Sequence, residues 1–242
     1  MKALLFSAGL GTRLKPFTDH HPKALARIGN STLLEWNIRW LQQFGIFDVV
    51  VNVHHFADQI IELLSREQGF GSQITISDER DALLETGGGL KKAAPFFAGQ
   101  QDLLVLNVDI LSNTDISELI HAHRSQGAIA TLAVQQRTSS RYFLFDKNNC
   151  LKGWENPQKS ALRLAEGAER PELKARAFSG IQVIDQALLH KIPFEGKFSI
   201  VDVYLDLCGK EKIMAWDHTG DQLLDVGKPE SLELATKLFG AR

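Results

Sequence analysis

LFSAGLGTRLKPFTDHHPKAL is the sequence of residues 5–25, and its strand, glycine turn and basic side chains decide the fold class. An apolar run turns at Gly9 and Gly11, which are separated by one residue. Glycines so spaced let backbone N–H groups wrap around an anion, because no Cβ stands in the way and a positive φ costs little. Arg13 adds a planar fork of donors, and Lys23 adds a mobile positive charge. The stretch is predicted to bind phosphate.

Two familiar glycine motifs do not fit this loop. The Walker A motif needs the spacing G-x-x-x-x-G-K-[ST], which the loop lacks. The dinucleotide-binding fingerprint needs a third small residue where Leu14 stands and an acid after the second strand, where the chain has Asn52. Because this fingerprint is incomplete, a NAD-type oxidoreductase is disfavoured. A turn that only links a strand to a helix is also disfavoured, since it would not require Arg13 and Lys23.

A longer pattern surrounds the glycines. Residues 8–18 read A-G-x-G-T-R-L-x-P-x-T, and residues 22–25 read P-K-A-L. The pattern resembles the signature of the sugar-1-phosphate nucleotidyltransferases, which make sugar nucleotides from an NTP and a sugar phosphate. The resemblance implies catalytic roles for Arg13 and Lys23. It also implies that the loop binds the nucleotide through Ala8, Gly9, Gly11 and Thr12.

Length and composition predict one α/β domain. A chain of 242 residues with 44% hydrophobic residues can bury one large core. The 27 Lys and Arg residues nearly balance the 29 Asp and Glu residues, which argues against a general nucleic-acid or membrane binder. Cys150 and Cys208 form no ligand-spaced cluster and are expected to be reduced thiols. With no signal peptide and no apolar run of roughly 20 residues, we expect a cytoplasmic protein.

Apolar runs alternate with helical patterns through the first half of the chain. Strands are predicted at residues 2–7, 47–53, 73–77 and 103–108, and helices at residues 32–45 and 57–66 and after the triple glycine at 87–89. A capping box at Thr32 and Glu35 opens the first helix. Such alternation predicts a right-handed, mostly parallel sheet that binds its ligand at the carboxyl ends of the strands.

The pattern changes after residue 115. A helix at 116–125 precedes strand-like runs at 129–135, 142–145, 150–154 and 178–184, while the polar residues 156–176 are predicted to be a loop or hairpin insert. A helix at 199–208, a strand at 213–216 and a helix at 230–239 complete the chain. The expected fold is an α/β, Rossmann-like sheet of the GT-A type with a small sugar-binding β lobe in the second half. One domain over residues 1–242 would then have a nucleotide-binding half, 1–115, and a sugar-binding half, 116–242.

Two acids are candidate metal ligands. Asp109 follows the fourth predicted strand, where it would either point into the ligand crevice or cap the next turn. Asp225 lies in the sequence Asp-Val-Gly near the end of the chain. In the resembled family a strand-end Asp and a late Asp-Val-Gly Asp bind Mg²⁺ together, so the resemblance implies a Mg²⁺ cofactor here. Val108 and Leu223 depart from the family pattern, which usually has Gly and often an aromatic residue at these positions.

The sequence LETGGG at residues 84–89 resembles the base-reading segment of the family. This form is most similar to the branch with N-acetylmuramate-1-phosphate uridylyltransferase and mannose-1-phosphate guanylyltransferase-like proteins. Three glycines at a helix start would expose backbone groups to a planar base. The resemblance implies nucleotide contacts from Glu85, Thr86, Gly87, Gly88 and Asn107.

Two further segments resemble the sugar-binding part of the family. They supply Glu155 and the pair Ser179 and Gly180, although Asn156 replaces a Lys that many relatives place on the sugar phosphate. Asp202 is a further sugar-binding candidate, with a helix-capping or solvent role as the alternative. The histidines have no metal-binding spacing and are predicted to be surface or structural residues.

The resulting hypothesis is a direct transfer between an NTP and a sugar 1-phosphate. The branch resemblance favours UTP with N-acetylmuramic acid 1-phosphate in cell-wall sugar recycling, and GTP with mannose 1-phosphate is the alternative. A non-catalytic sugar-nucleotide regulator is the rival from another class. A monomer and a homodimer are both compatible with the sequence.

Overall fold

The apolar runs of the first half form the parallel centre of one sheet. The computed structural model describes residues 1–240, so the last two residues of the predicted domain, Ala241 and Arg242, lie outside the described part. The strands are β1 Lys2–Phe6, β2 Arg27–Ile28, β3 Ser31–Thr32, β4 Asp48–Val53, β5 Gln73–Asp78, β6 Asp102–Asn107, β7 Ile110–Ser112, β8 Ala130–Gln135, β9 Tyr142–Phe145, β10 Leu151–Asn156, β11 Ala161–Leu164, β12 Lys174–Asp185, β13 Ile213–Asp217 and β14 Leu223–Asp225. The helices are α1 Leu33–Gln42, α2 Ala57–Arg66, α3 Glu85–Ala93, α4 Ile116–Gln126, α5 Ala187–His190, α6 Ile200–Leu207 and α7 Pro229–Phe239.

The main sheet has 10 strands in the order β11-β10-β9-β12-β6-β1-β4-β5, and β8 pairs with β12 and β13. Strands β6, β1, β4 and β5 are parallel, with Leu4 opposite both Val50 and Val105. Ala3, Leu4 and Leu5 are fully buried, because helices cover both faces of a central parallel strand. The predicted α/β fold class is confirmed.

The second half joins the same sheet through β12, which runs antiparallel to β6. Strands β9, β10 and β11 continue outward from the first half of β12 as an antiparallel extension. The hairpin predicted within residues 156–176 is confirmed by β11, but residues 174–176 belong to a strand rather than a loop. Their backbone pairs with residues 143–145, and this pairing does not depend on their polar side chains.

The first and last helices share one core. Thr32 caps α1 by accepting a hydrogen bond from the Glu35 amide, but the Glu35 carboxylate pairs with Arg39 at 2.8 Å instead of closing the capping box. Trp36 of α1 packs edge-to-face on Phe239 of α7, with the ring centroids 5.4 Å apart. None of the helices in residues 1–240 has both the length and the apolar character that crossing a bilayer requires.

Candidate active site

The carboxyl ends of β1, β4 and β6 meet at a cavity of about 330 Å³. This is the edge at which the sequence predicts a ligand. Predicted site residues that line the cavity are Ala8, Gly9, Lys23, Glu85, Thr86, Asn107 and Asp109. Lining residues that were not predicted as ligand contacts are Phe6, Ser7, Asn52, Glu79, Leu83 and Val108.

The predicted phosphate loop folds onto Lys23. Gly11 has a φ of 61°, and a Cβ at this position would lie 2.8 Å from Thr18 Cγ2 and 3.0 Å from Lys23 Cβ. The Thr18 hydroxyl donates a hydrogen bond to the Gly11 carbonyl at 3.0 Å. Only glycine fits the conformation and the space, so the turn brings Lys23 under the loop. Thr12 and Arg13 lie in the short 3₁₀ turn that follows Gly11.

Lys23 and Asp109 form a largely buried ion pair at the cavity. The Asp109 carbonyl accepts a hydrogen bond from the Val226 amide at 2.9 Å, and Asp225 lies opposite Ile110 in the β7–β14 pair. The two predicted metal ligands are therefore brought to neighbouring backbone positions, although they are 116 positions apart in the chain. Arg13 Nη2 lies 3.8 Å from Asp225 Oδ2 on the open side.

The charges around Asp225 support this proximity. Partial burial and the negative charge of Asp109 raise the pKa of Asp225, while Lys23, Arg13 and Arg137 oppose the rise. The Asp225 side chain is 50% exposed, so water screens part of these interactions. An acid pair in which the charge of Asp109 helps to raise the pKa of Asp225 fits a hard divalent cation, because Mg²⁺ takes few protein ligands together with waters and substrate oxygens. Within residues 1–240, no cluster of three or more acidic, His or Cys side chains has metal-binding geometry.

Asn52 and Glu79 form a buried polar pair on the cavity wall that sequence reasoning did not assign. Asn52 Oδ1 accepts hydrogen bonds from the Ser7 and Ala8 amides at 2.6 and 3.3 Å, which shapes the start of the phosphate loop. Asn52 Nδ2 donates to Glu79 Oε1 at 2.8 Å. Glu79 is fully buried and its Oε2 has no hydrogen-bond partner among the described residues.

Burial raises the pKa of Glu79, and hydrogen bonds from Asn52 and the Leu84 backbone only partly offset this. The signal in the sequence was weak, because Asn52 and Glu79 are 27 residues apart and belong to no recognised spacing. Asn52 is the last residue but one of β4 and Glu79 directly follows β5, and only the sheet order places those strands side by side.

The glycines of LETGGG pack against the entry to α6. The Gly87 and Gly88 amides donate to the Phe198 carbonyl at 3.0 and 3.2 Å, and a Cβ on Gly87 would overlap the Phe198 ring. Thr86 Oγ1 accepts from the Ile200 amide at 3.0 Å. The tight packing of these glycines is thus with protein. Nucleotide contacts from Gly87 and Gly88 stay a prediction, since neither lines the cavity.

The sugar-binding candidates lie in different surroundings. Gly180 has a φ of 74°, and a Cβ there would lie 2.9 Å from Nδ2 of the cavity residue Asn107. Ser179 is fully buried, with its Oγ 2.7 Å from His218 Nε2.

The two acidic sugar-binding candidates both pair with arginines. Glu155 forms a two-bond pair with Arg170 at 2.7 Å for each bond. Asp202 completes the capping box of α6 and pairs with Arg163 at 2.6 Å. The geometry of Asp202 therefore agrees with the helix-capping alternative.

A phosphate loop, an acid pair and two basic side chains at the edge of an α/β sheet define a class of enzymes that transfer nucleotidyl groups to phosphates. Comparisons with known proteins agree with this class. The family model described as "Nucleotidyl transferase" matches residues 2–240, and the chain belongs to that family. More narrowly, it is a sugar-1-phosphate nucleotidyltransferase, which disfavours the non-catalytic regulator.

Two relatives match nearly end to end. The N-acetylmuramate alpha-1-phosphate uridylyltransferase of Neisseria meningitidis serogroup B is 28% identical over 244 residues, covering 100% of this chain and 99% of the relative. The protein of the same name from Caulobacter vibrioides is 30% identical over 229 residues, covering 90% and 91%. Among solved structures, HddC from Yersinia pseudotuberculosis in complex with GMP-PN superposes with a TM-score of 0.77 at 20% identity, covering 98% of this chain and 99% of HddC. That structure supports the fold alone.

Proposed function

We propose that this enzyme transfers a uridylyl group from UTP to N-acetylmuramic acid 1-phosphate, giving the UDP-sugar and pyrophosphate. The observation that carries the reaction is the convergence of Lys23, Arg13, Asp109 and Asp225 beside the cavity. The choice of substrates is supported by the two relatives of that name, which match along nearly the whole chain. We place the reaction in the cytoplasm, as part of the recycling of cell-wall sugars.

The chemistry needs positioning more than proton transfer. A phosphate oxygen of the sugar 1-phosphate forms a bond to the α-phosphorus of UTP, and the bond between the α-phosphorus and the bridging oxygen to the β-phosphate breaks. The attacking oxygen is already anionic, so no general base and no covalent enzyme intermediate are required. Lys23 would hold the α-phosphate, and Arg13 would bind the departing pyrophosphate.

Asp109 and Asp225 would hold Mg²⁺ in this scheme. When bound, the cation supplies charge neutralisation for the phosphate oxygens. Lys23 already pairs with Asp109, so the lysine and the acid pair lie close enough to act on the same phosphate group. The acids and the lysine therefore constitute one charged unit.

Glu79 offers an acceptor for the edge of the base. Glu79 lines the cavity and its buried Oε2 has no hydrogen-bond partner among the described residues, so we propose that this oxygen accepts from the imino N–H of uracil. Adenine and cytosine carry an acceptor nitrogen at the corresponding edge position, so Glu79 would disfavour them when its carboxylate is ionised. Guanine presents two adjacent N–H groups to such an oxygen, which keeps GTP with mannose 1-phosphate as the second candidate.

The test is a pyrophosphate-release screen of the purified protein with four NTPs and a panel of sugar 1-phosphates. We expect UTP with N-acetylmuramic acid 1-phosphate to give the highest kcat/KM, about tenfold or more above any other pair. Chelation by EDTA should abolish the activity and added Mg²⁺ should restore it. Faster turnover of another pair would replace the proposed substrates, and full activity in EDTA would exclude the metal.

A further inference from the structure

Arg137 lies two residues after the end of β8, and it is a basic residue to which no role has been assigned so far. Its Nη2 donates a hydrogen bond to the Phe178 carbonyl at 3.0 Å. Through residues 1–240, no carboxylate lies within ion-pair distance of its guanidinium. A guanidinium has five N–H donors, so this one keeps donors free for an anion.

Two strands place Arg137 beside the charged unit. On one side, Phe178 directly precedes Ser179 and Gly180, and the backbone of Gly180 packs against the cavity residue Asn107. The guanidinium is therefore anchored on β12, the strand of the second half of the chain that reaches the cavity.

The other side of Arg137 is tied to the segment that leads into β14. Gln135 Nε2 donates to the Asp221 carbonyl at 2.9 Å, and the Gln136 amide donates to Thr219 Oγ1 at 2.7 Å. Thr219 and Asp221 precede β14, which carries Asp225, so the residues just before Arg137 are tied to the segment that leads to Asp225.

The electrostatics agree with that position. Burial and Asp109 raise the pKa of Asp225, and the positive charge of Arg137 is one of those that counteract the rise. His218 lies in the same region, and burial lowers its pKa although Asp221 and Asp217 oppose the shift, so it is neutral at pH 7. Arg137 is thus a permanent positive charge near Asp225.

A sugar phosphate approaching Asp225 needs such a charge. Its phosphate is anionic and would be repelled by the two carboxylates, while Lys23 is paired with Asp109 and Arg13 lies against Asp225. Asn156 cannot substitute, because it is buried and its Oδ1 caps a short turn by accepting from the Lys159 amide at 3.2 Å. Arg137 keeps guanidinium donors free for such a phosphate.

Resting on the nucleotidyl-transfer reaction proposed above, we propose that Arg137 binds the phosphate of the sugar 1-phosphate. The guanidinium donors that the Phe178 carbonyl does not use would bind this phosphate. The acceptor phosphate would then be held by a different arginine from Arg13, which is assigned to the pyrophosphate. This arrangement separates the site of the attacking phosphate from the site of the pyrophosphate.

The test compares Arg137→Gln with Arg66→Gln, which changes an exposed arginine on α2. For each protein, the KM of the sugar 1-phosphate and of the NTP is measured, together with the inhibition constant of the same sugar without its phosphate. In Arg137→Gln we expect the KM of the sugar 1-phosphate to rise about tenfold or more, as for loss of a charge-assisted hydrogen bond. The KM of the NTP and the inhibition by the free sugar should change less than twofold, and Arg66→Gln should match the wild type.

An unchanged KM for the sugar 1-phosphate, or an equal loss of affinity for the free sugar, would overturn the role of Arg137. A thermal melt of both variants separates a binding defect from misfolding, and Arg137→Lys should recover part of the lost affinity if the fold is intact. The assay uses whichever sugar 1-phosphate and NTP the wild type turns over fastest. A different substrate pair would therefore correct the proposed function and leave the outcome for Arg137 readable.

Discussion

At the scale of single residues, Lys23 is the side chain on which the proposed reaction depends most. It is largely buried, and it contacts Asp109 at the cavity. We expect Lys23→Ala to lower kcat by about 10²-fold or more, because a preorganised charge that faces the transferred phosphate is lost. Steady-state pyrophosphate release measures this. Lys15→Ala in the same loop is the matched control, since Lys15 is exposed and pairs with Asp19. A Lys23→Ala enzyme with near-normal turnover would contradict the assigned role.

Glu79 predicts how stability depends on pH. Burial raises its pKa above the ordinary value of 4.5. At a pH between the unfolded and the folded pKa, the folded protein therefore still binds a proton that the unfolded chain has released. The stability this proton confers is fully present below the unfolded pKa and is lost as the pH rises through the folded pKa. We expect the melting temperature to fall from about pH 5 to pH 8 by more in the wild type than in Glu79→Gln.

The matched control for Glu79 is Glu62→Gln, which alters an exposed glutamate on α2. Thermal melts across the same pH range compare the three proteins. If Glu79→Gln follows the wild-type slope, the buried carboxylate does not set the pH dependence.

At the scale of elements, the approach of α3 to α6 depends on glycine. A Cβ on Gly88 would overlap the Gly196 carbonyl and lie 2.9 Å from Leu84 Cβ. Gly88→Ala should cost about 1–3 kcal/mol by overpacking, which corresponds to roughly 3–10 °C in a chain of this length. Gly209→Ala, where a Cβ meets no atom within 4 Å, should leave the melting temperature almost unchanged. Equal melting temperatures for the two variants would mean that the α3–α6 contact adapts.

Elements with a strong local signal were predicted well from the sequence. Helix α2 has the predicted bounds, since its apolar residues recur at helical spacing. Strand β12 was predicted too short, because its first residues are polar and pair through their backbone with β9. The close contacts of Gly87 and Gly88 include residues 196–199, which lead into α6 and lie more than 100 residues later, whereas Gly89 packs against Glu79 and Asn52 of the cavity wall. The predicted base contacts of these glycines stay a prediction.

At the scale of the whole molecule, the two predicted halves share structure. Strand β6 of the first half pairs with β12 of the second over five residues, and the Gly29 amide donates to Thr236 Oγ1 at 3.1 Å. Neither half closes the sheet or the core by itself. We therefore expect one cooperative unfolding transition, with calorimetric and van't Hoff enthalpies in a ratio near one. Two resolved transitions in scanning calorimetry would show that the halves unfold independently.

The candidate site could be predicted in part, from those of its residues that carry a local sequence signature. The phosphate loop and the strand-end acid carry local signatures, so Gly11, Lys23 and Asp109 could be found by pattern alone. Asn52, Glu79 and Arg137 could not, because each acts through a partner that is distant in sequence. Such pairs follow from strand order and register, which local patterns do not specify.

The sequence by itself determined the alternation of strands and helices, the anion-binding turn and the class of reaction, because each of these depends on side chains that are neighbours along the chain. The tertiary structure alone decided that Asp109 and Asp225 occupy adjoining backbone positions and that Glu79 is buried against Asn52. It also decided that Arg137 is anchored on β12. The physical reason is that burial and charge proximity arise only when the sheet brings separate strands within hydrogen-bonding distance.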